Sequence, residues 1–346
     1  RVDIVLKLGT IKGPNYSIDT LFVDATQKLG DKLTVGQHFT VGYIKTTGVS
    51  GTDITESPPF QAAYEMLPVI PVYDTAQSSG YGIGELNRAQ TWSENPVGVM
   101  DMYKRFNDGI NISGDVFLDY KIIDGLNYHF SFGINSSNYK AKQYNEAGEL
   151  RMGGVPHLSG LSETRGEELS LFIENRLTYT KAFGKHRFSI MATHTEQKND
   201  EAFQATSVID GYDEEINFWQ ISGNSGSLSS SGQEFHSAIR SFLGRLTYNY
   251  NDKYFLTGII RTDGSSNFAP ENRWGTFPSV SGGWDISQED FFSVEFINQL
   301  KLRAGYGQVG NASVGPYQYT TSIYRTALGA DRYNPGFNYN LGPTSQ

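Results

Sequence analysis

Apolar and polar residues alternate with period two along most of this chain. Between Glu168 and Ala182, Leu169, Leu171, Ile173, Leu177 and Tyr179 share one parity, while Glu168, Ser170, Glu174, Arg176, Thr178 and Thr180 share the other. Such a segment is a β-strand with one greasy and one charged face. The pattern recurs in Leu33, Val35, Phe39, Val41 and Tyr43, in Ile110, Ile112, Val116, Leu118 and Tyr120, and in Leu126, Tyr128, Phe130, Phe132 and Ile134. It returns in Phe242, Leu246, Tyr248 and Tyr250, and again in Leu300, Leu302, Ala304 and Tyr306. About eleven strands are expected, most near the roughly 9–11 residues that a tilted strand needs to cross a bilayer.

The connections fall into two kinds. Tight turns are expected at 29–32, 122–125, 183–185 and 251–252, with a compact linker at 287–297 that a Ser287 helix cap would open. Long polar loops are expected at 47–109, 140–166, 198–237 and from 310 onward. Short turns on one rim and long loops on the other are the arrangement of an outer-membrane barrel; the short connection at 10–15 breaks the rule. Charge position agrees. Glu174, Arg176 and Arg245 sit deep in strands but on the polar parity, where they would face a lumen. Lys181 on the apolar parity is two residues from a turn, and His194 and Glu196 are expected at the far end of their strand. Tyr120, Tyr128, Tyr179, Tyr248, Tyr250 and Tyr254 gather near the short turns, as an interfacial girdle would.

Composition narrows the classes. The chain has 346 residues, 21 Tyr, 21 Phe, 38 Gly and no Cys, with a net charge of -9; mean hydropathy is -0.41 and the pI about 5.2. No apolar run approaches a spanning helix, but a barrel escapes that test because only alternate residues meet lipid. An acidic chain without a basic stripe excludes nucleic acid as a partner, and the lack of Cys excludes disulfides and thiolate sites. No nucleophile elbow, phosphate loop or zinc pattern occurs, so no enzyme and no cofactor or metal is expected. Asp213-Glu214-Glu215 reads as a solvated loop, and Asp263-Gly264-Ser265-Ser266 as a hairpin-end turn rather than a calcium loop. Aromatic loop residues Tyr73, Tyr81, Trp92, Phe218, Trp219, Tyr317 and Tyr319 are candidates to stack on sugars or meet a lid, with loop packing the alternative for each.

The tract from Arg245 to Phe268, followed by Arg273-Trp274-Gly-Thr-Phe277-Pro278-Ser279 and Trp284, resembles the SusC/RagA family of TonB-linked outer-membrane transporters. Leu300-Lys-Leu-Arg-Ala-Gly-Tyr-Gly-Gln-Val-Gly310-Asn311, Leu67-Pro68-Val-Ile-Pro71-Val-Tyr73-Asp74 and Gly9-Thr-Ile-Lys-Gly13 extend the likeness in order along the chain. The resemblance implies an all-β, antiparallel transmembrane barrel of the roughly 22-strand, plugged type. It further implies import of glycan or peptide fragments across a Bacteroidetes-like outer membrane, with a SusD-like surface lipoprotein as lid and the TonB complex as energy source. On this reading residues 1–346 are part of one barrel domain: Arg1 stands inside a strand, the end at Asn334 to Gln346 is loop-like, and neither a plug nor closing strands are expected within them. The competing reading of the alternation is a soluble or surface-anchored β-rich module, an adhesin or glycan binder, in which two packed sheets would cover both strand faces.

Overall fold

The computed structural model describes residues 2–8, 14–48, 59–84, 89, 93–152, 158–210, 220–223, 226–294, 296–319, 323–327 and 337–341. Eleven strands form one sheet in chain order: β1 (Val2–Leu8), β2 (Asn15–Leu29), β3 (Leu33–Gly48), β4 (Tyr103–Ile123), β5 (Leu126–Asn145) and β6 (Gly160–Phe183), then β7 (His186–Ile209), β8 (Ser227–Tyr250), β9 (Tyr254–Ser265), β10 (Trp274–Asp285) and β11 (Lys301–Gly307). Each pairs antiparallel with its neighbour in sequence, and β1 and β11 are the open edges. A separate hairpin joins β12 (Ile323–Ala327) to β13 (Phe337–Leu341). Helices α1 (Pro59–Glu65) and α2 (Pro96–Met102) lie between β3 and β4. There is one sheet of wall rather than two packed sheets, which removes the sandwich reading; no described helix is long and apolar enough to cross a membrane.

The turns follow their sequences. Gly30, Gly125 and Gly184 take φ of 70°, 85° and 55°, and Asn251 and Asp252 both take positive φ near 55°. Two successive left-handed residues are what a type I′ turn requires, closed here where the Lys253 N–H donates to the Tyr250 carbonyl, and primed turns match the twist of the flanking strands.

Register carries the two faces across the sheet. Leu177 lies opposite Tyr128 on one side and Ala192 on the other, Ile190 opposite Leu246, Tyr248 opposite Leu256, and Leu256 opposite Gly282. One face is therefore a continuous apolar surface, and its residues remain exposed: Leu177 41%, Ile190 49%, Ile260 55%. Exposed apolar area on this scale demands a nonaqueous neighbour. Tyr120 faces Tyr128 and Tyr250 faces Tyr254 beside the turns, and Tyr254 stacks on Trp284 at 6.4 Å. The aromatic girdle is in place.

The apolar band slopes relative to the hydrogen-bonded rows. Tyr43, near the upper end of the band in β3, shares a row with Ile110, Asn138, Glu167, Ala202 and Glu234. In β8 the band ends at Phe242, which is 242 − 234 = 8 residues closer to the turn. Eight residues are about 26 Å along a strand, and five strand steps are about 24 Å across. The turn rim gives a second measure: Leu33 shares a row with Gly244, and β8 continues 250 − 244 = 6 residues, about 20 Å, to Tyr250. Both edges put the strands at roughly 40–50° to the band normal, against about 35–45° in outer-membrane barrels.

Several expectations need correction. The long strands are not 9–11 residues: β4 and β5 have 21 and 20, and β6, β7 and β8 have 24 each. At a 45° tilt, 24 residues rise about 56 Å, roughly twice the ~25 Å of an apolar band. The expected loops are thus strand at both ends, over 140–145 and 160–166 in the first and over 198–209 and 227–237 in the second. Above the membrane both faces meet water, so alternation vanishes while backbone pairing continues. His194 and Glu196 accordingly lie mid-strand, at the upper edge of the band. The 264–276 connection is shorter than expected, with β9 ending at Ser265 and β10 opening at Trp274. Within 47–109, β4 already begins at Tyr103, and the described part before it is packed rather than only locally ordered. Past 310 lies the β12–β13 hairpin. Ser287 caps no helix: it sits inside a short 3-10 turn, Ile286–Gln288, and its hydroxyl donates to Asp285. The 10–15 connection falls mostly outside the described residues.

Candidate functional site

Glu174, Arg176 and Arg245 all fall on the polar face. Arg176 Nη1 lies 3.3 Å from Glu174 Oε1. Thr193 is opposite Arg176 and Met191 is opposite Arg245, so the three charges occupy neighbouring rows on β6 and β8. Among the described residues Arg245 makes a loose 3.6 Å contact with Met191 Sδ and no ion pair.

The same face carries a cluster that depends on register and that the sequence did not expose. The rings of His38 and Phe117 stack at 5.3 Å with 14° between planes, and Phe117 and His129 at 6.2 Å with 23°. Three carboxylates flank the stack: Asp24 at 3.6 Å and Asp115 at 3.2 Å from His38, and Asp119 at 2.7 Å from His129. His129 lies opposite Arg176, which joins the stack to the charged rows. Each of these residues has the polar parity of its strand, which is the only signal the sequence held. Among the described residues no cluster of His, Asp and Glu has the geometry of a metal site. The arrangement offers hydrogen-bond donors, acceptors and flat aromatic faces over several strands, the chemistry of a surface along which polar molecules pass.

The rim module is built around Asn95. Its Oδ1 accepts from the N–H groups of Val97 and Gly98, capping α2, while its Nδ2 donates to the carbonyls of Val72 and Gly82. Its own N–H donates to Leu150. One buried residue, side chain and backbone together, thus ties four stretches of chain together, and every polar atom it buries is satisfied. Val99, Met102, Tyr103 and Leu150 form the core beneath it, with Tyr81 packed against them. At Gly98 a Cβ would meet Leu150 Cδ2 at 2.4 Å and Tyr81 Cγ at 3.0 Å, so these side chains must shift to admit one. Tyr103 pairs with Asn145 on the polar parity, so the module sits on the polar side of the wall.

The aromatic candidates separate. Tyr81 is a packing residue: its hydroxyl donates to Asp101 at 3.1 Å, and burial together with that carboxylate pushes its phenol up to about 12. Tyr73 packs against it in a tilted pair, centroids 5.7 Å apart, and remains 63% exposed. Tyr317 is exposed with φ 62° and Tyr319 is half-buried, in a segment tethered where Asn267 donates to the Val314 carbonyl. Trp92, Phe218 and Trp219, like Asp213-Glu214-Glu215, lie outside the described residues. A groove of about 1160 Å³ opens in the wall between the rim module and the apolar band, lined in part by Tyr43, Tyr139, Lys140, Arg165 and Gln204; none of the four described loop aromatics, Tyr73, Tyr81, Tyr317 and Tyr319, is among its lining residues.

At the turn rim, Glu289 holds the linker after β10. It accepts from Tyr254 at 2.6 Å and Trp284 at 3.0 Å and pairs with Lys253 at 3.1 Å. Those bonds hold its carboxyl down at about 2.

Comparison with known proteins agrees with this geometry. No protein-family model matches the chain. A TonB-dependent receptor of Formosa agariphila is 29% identical over 341 residues, covering 96% of this chain and 30% of the receptor. A second one from that organism is 30% identical over 300 residues, 84% of this chain and 29% of the receptor. TonB-dependent receptor SusC of Bacteroides thetaiotaomicron is 27% identical over 226 residues, 64% of this chain and 22% of SusC. Among solved structures, the RagAB peptide transporter superposes with a TM-score of 0.77 at 15% identity, over 96% of this chain and 37% of that one. The chain therefore spans about a quarter to a third of the length of the curated relatives it matches. In sequence and in fold, this chain is SusC/RagA-like TonB-dependent receptor barrel.

Proposed function

We propose that the chain forms part of the wall of an outer-membrane importer of glycan or peptide nutrients, energised through TonB and closed from outside by a SusD-like lipoprotein. The observation that carries the reading is the two-faced sheet: an apolar band with an aromatic girdle, sloping at the tilt of a membrane barrel, backed by a face bearing Glu174, Arg176, Arg245 and the His38–Phe117–His129 stack. The apolar face then meets outer-membrane lipid and the polar face lines the lumen. Likeness to SusC and to the RagAB peptide transporter supports import; it leaves glycan and peptide as equal options.

Expression of the complete gene tests the proposal. The product is expected in the outer-membrane fraction as a heat-modifiable barrel, and its deletion should abolish growth on a subset of oligosaccharides or peptides supplied as sole nutrient. Recovery as a soluble periplasmic protein overturns it.

A further inference from the structure

Among the described residues the upper half of β8 is an unpaired sheet edge on its β9 side. β7 pairs with all of β8, up to Ile209 opposite Ser227, but β9 reaches only as far as Ile239 opposite Ser265. Beyond it Ser266 donates to the Ala238 carbonyl and Ala238 N–H to the Ser266 hydroxyl, and among the described residues no strand lies alongside 227–237. Because Ala238 directs its N–H and C=O toward the β9 side, the antiparallel alternation directs those of Leu228, Ser230, Gly232, Glu234 and His236 the same way. The free stretch, about 36 Å long, rises above the apolar band as one side of a notch in the rim. Edges of this kind are normally blunted by Lys, Pro or a bulge; 227–238 contains neither Lys nor Pro, the register with β7 is unbroken, and every residue from Ser227 to Glu234 is exposed.

The charges around it are mixed, with Arg165 in the row of Gly232 across Gln204, and the one carried by the edge's own exposed carboxylate is negative. Glu234 has no ion pair among the described residues. Glu167 lies in its row across Ala202, and one row closer to the turns Glu168 and Glu201 face each other directly in register. Glu167 and Glu234 stand on one face of the sheet and Glu168 and Glu201 on the other, so a cation brought alongside the β8 edge meets Glu234.

We propose that the free edge of β8 binds an extended peptide carrying Lys or Arg, which adds to the sheet as a further strand and sets its cation against Glu234. Recognition is by main chain, with the small Ser229, Ser230, Ser231 and Gly232 side chains leaving the approach open. Binding requires only that this edge stands in water, whatever the cargo of the importer.

The test uses the full-length receptor in detergent and a fluorescent probe peptide of about nine residues, alternating Thr and Val around a central Lys, read by anisotropy. Ser230→Pro and Gly232→Pro each remove an edge N–H that β7 does not use, so the β7–β8 ladder survives; each should weaken binding about ten-fold. N-methylation of the probe on alternate residues should weaken it at least as much, and Glu234→Lys should shift preference to a probe with central Glu. Heat-modifiability confirms that each variant is still a barrel, so a fold or localisation failure is read separately. A receptor that is a proper barrel but ignores the probe, binds it equally after both Pro substitutions, or instead dimerises through this edge overturns the proposal.

Discussion

A single charge placed on each face of β6 separates the two faces energetically. Leu177 lies on the apolar face, 183 − 177 = 6 residues from the end of β6 at Phe183. At about 3.3 Å per residue and a 45° tilt that is about 14 Å above the turn rim, close to the middle of an apolar band about 25 Å tall, where Lys costs about 2–4 kcal/mol. Leu177→Lys should therefore lower the folding equilibrium constant roughly thirty- to nine-hundred-fold. Thr178, the next residue, stands at nearly the same depth on the polar face, opposite Met191 and Asn127. Thr178→Lys should cost under about 1 kcal/mol, since that face meets water. Urea titration of the full-length receptor in lipid vesicles, followed by Trp fluorescence and heat-modifiability, measures both. Equal costs for the two variants, or a larger cost at Thr178, would refute the assignment of faces.

Four further outcomes follow from the geometry. Asn95→Ala leaves two helix N–H groups and two carbonyls without their partner and should cost about 2–4 kcal/mol within the rim module, read as faster hydrogen exchange over 70–102 with the barrel unchanged. Gly125→Ala places a Cβ 2.4 Å from the Thr180 carbonyl at φ 85°; it should destabilise the β4–β5 hairpin by about 1–3 kcal/mol, whereas Gly30→Ala, with open space around it, pays only for its backbone conformation. The Glu289 carboxyl is lowered from 4.5 to about 2, so its contribution is complete above pH 4.5 and disappears as pH falls through about 2. Exchange protection of the 286–300 linker should fall across that window, and Glu289→Gln should reduce the pH dependence to the part that Asp285 contributes through Ser287 and Gln299. Tyr81→Phe, by deleting the bond to Asp101 alone, should loosen the packing of α2 and leave nutrient uptake intact, while loss of uptake would return Tyr81 to the binding residues.

The elements within the bilayer were legible because there a strand has two different solvents. Leu177 beside Thr178, or Ile190 beside Ser189, announces which way each side chain points, and Asp124-Gly125 announces the turn between. Above the band the cue disappears. In Gln204 to Ile209 and Ser227 to Glu234 polar residues point both ways, and what extends β7 and β8 is a ladder of backbone bonds that has no signature in side-chain order. The rim module was illegible for a related reason: Asn95 is an ordinary loop residue until the chain brings Val72, Gly82 and Leu150 around it. The charges of the polar face could be assigned to it from parity alone, but that His129 lies opposite Arg176, with Phe117 between two imidazoles, follows only from register.

The slope of the apolar band bears on how the wall is assembled. A slip of two residues between neighbouring strands keeps every side chain on its own face and restores nearly all backbone bonds, so the sheet by itself scarcely resists it. It would, however, lift everything beyond the slip by about 5 Å along the membrane normal, drawing Phe242 and its neighbours out of hydrocarbon while sinking turn residues into it. The cost of that thickness mismatch grows with each strand carried along. The bilayer is in this sense a ruler laid against the barrel, and alignment among these strands is proofread by the membrane they span.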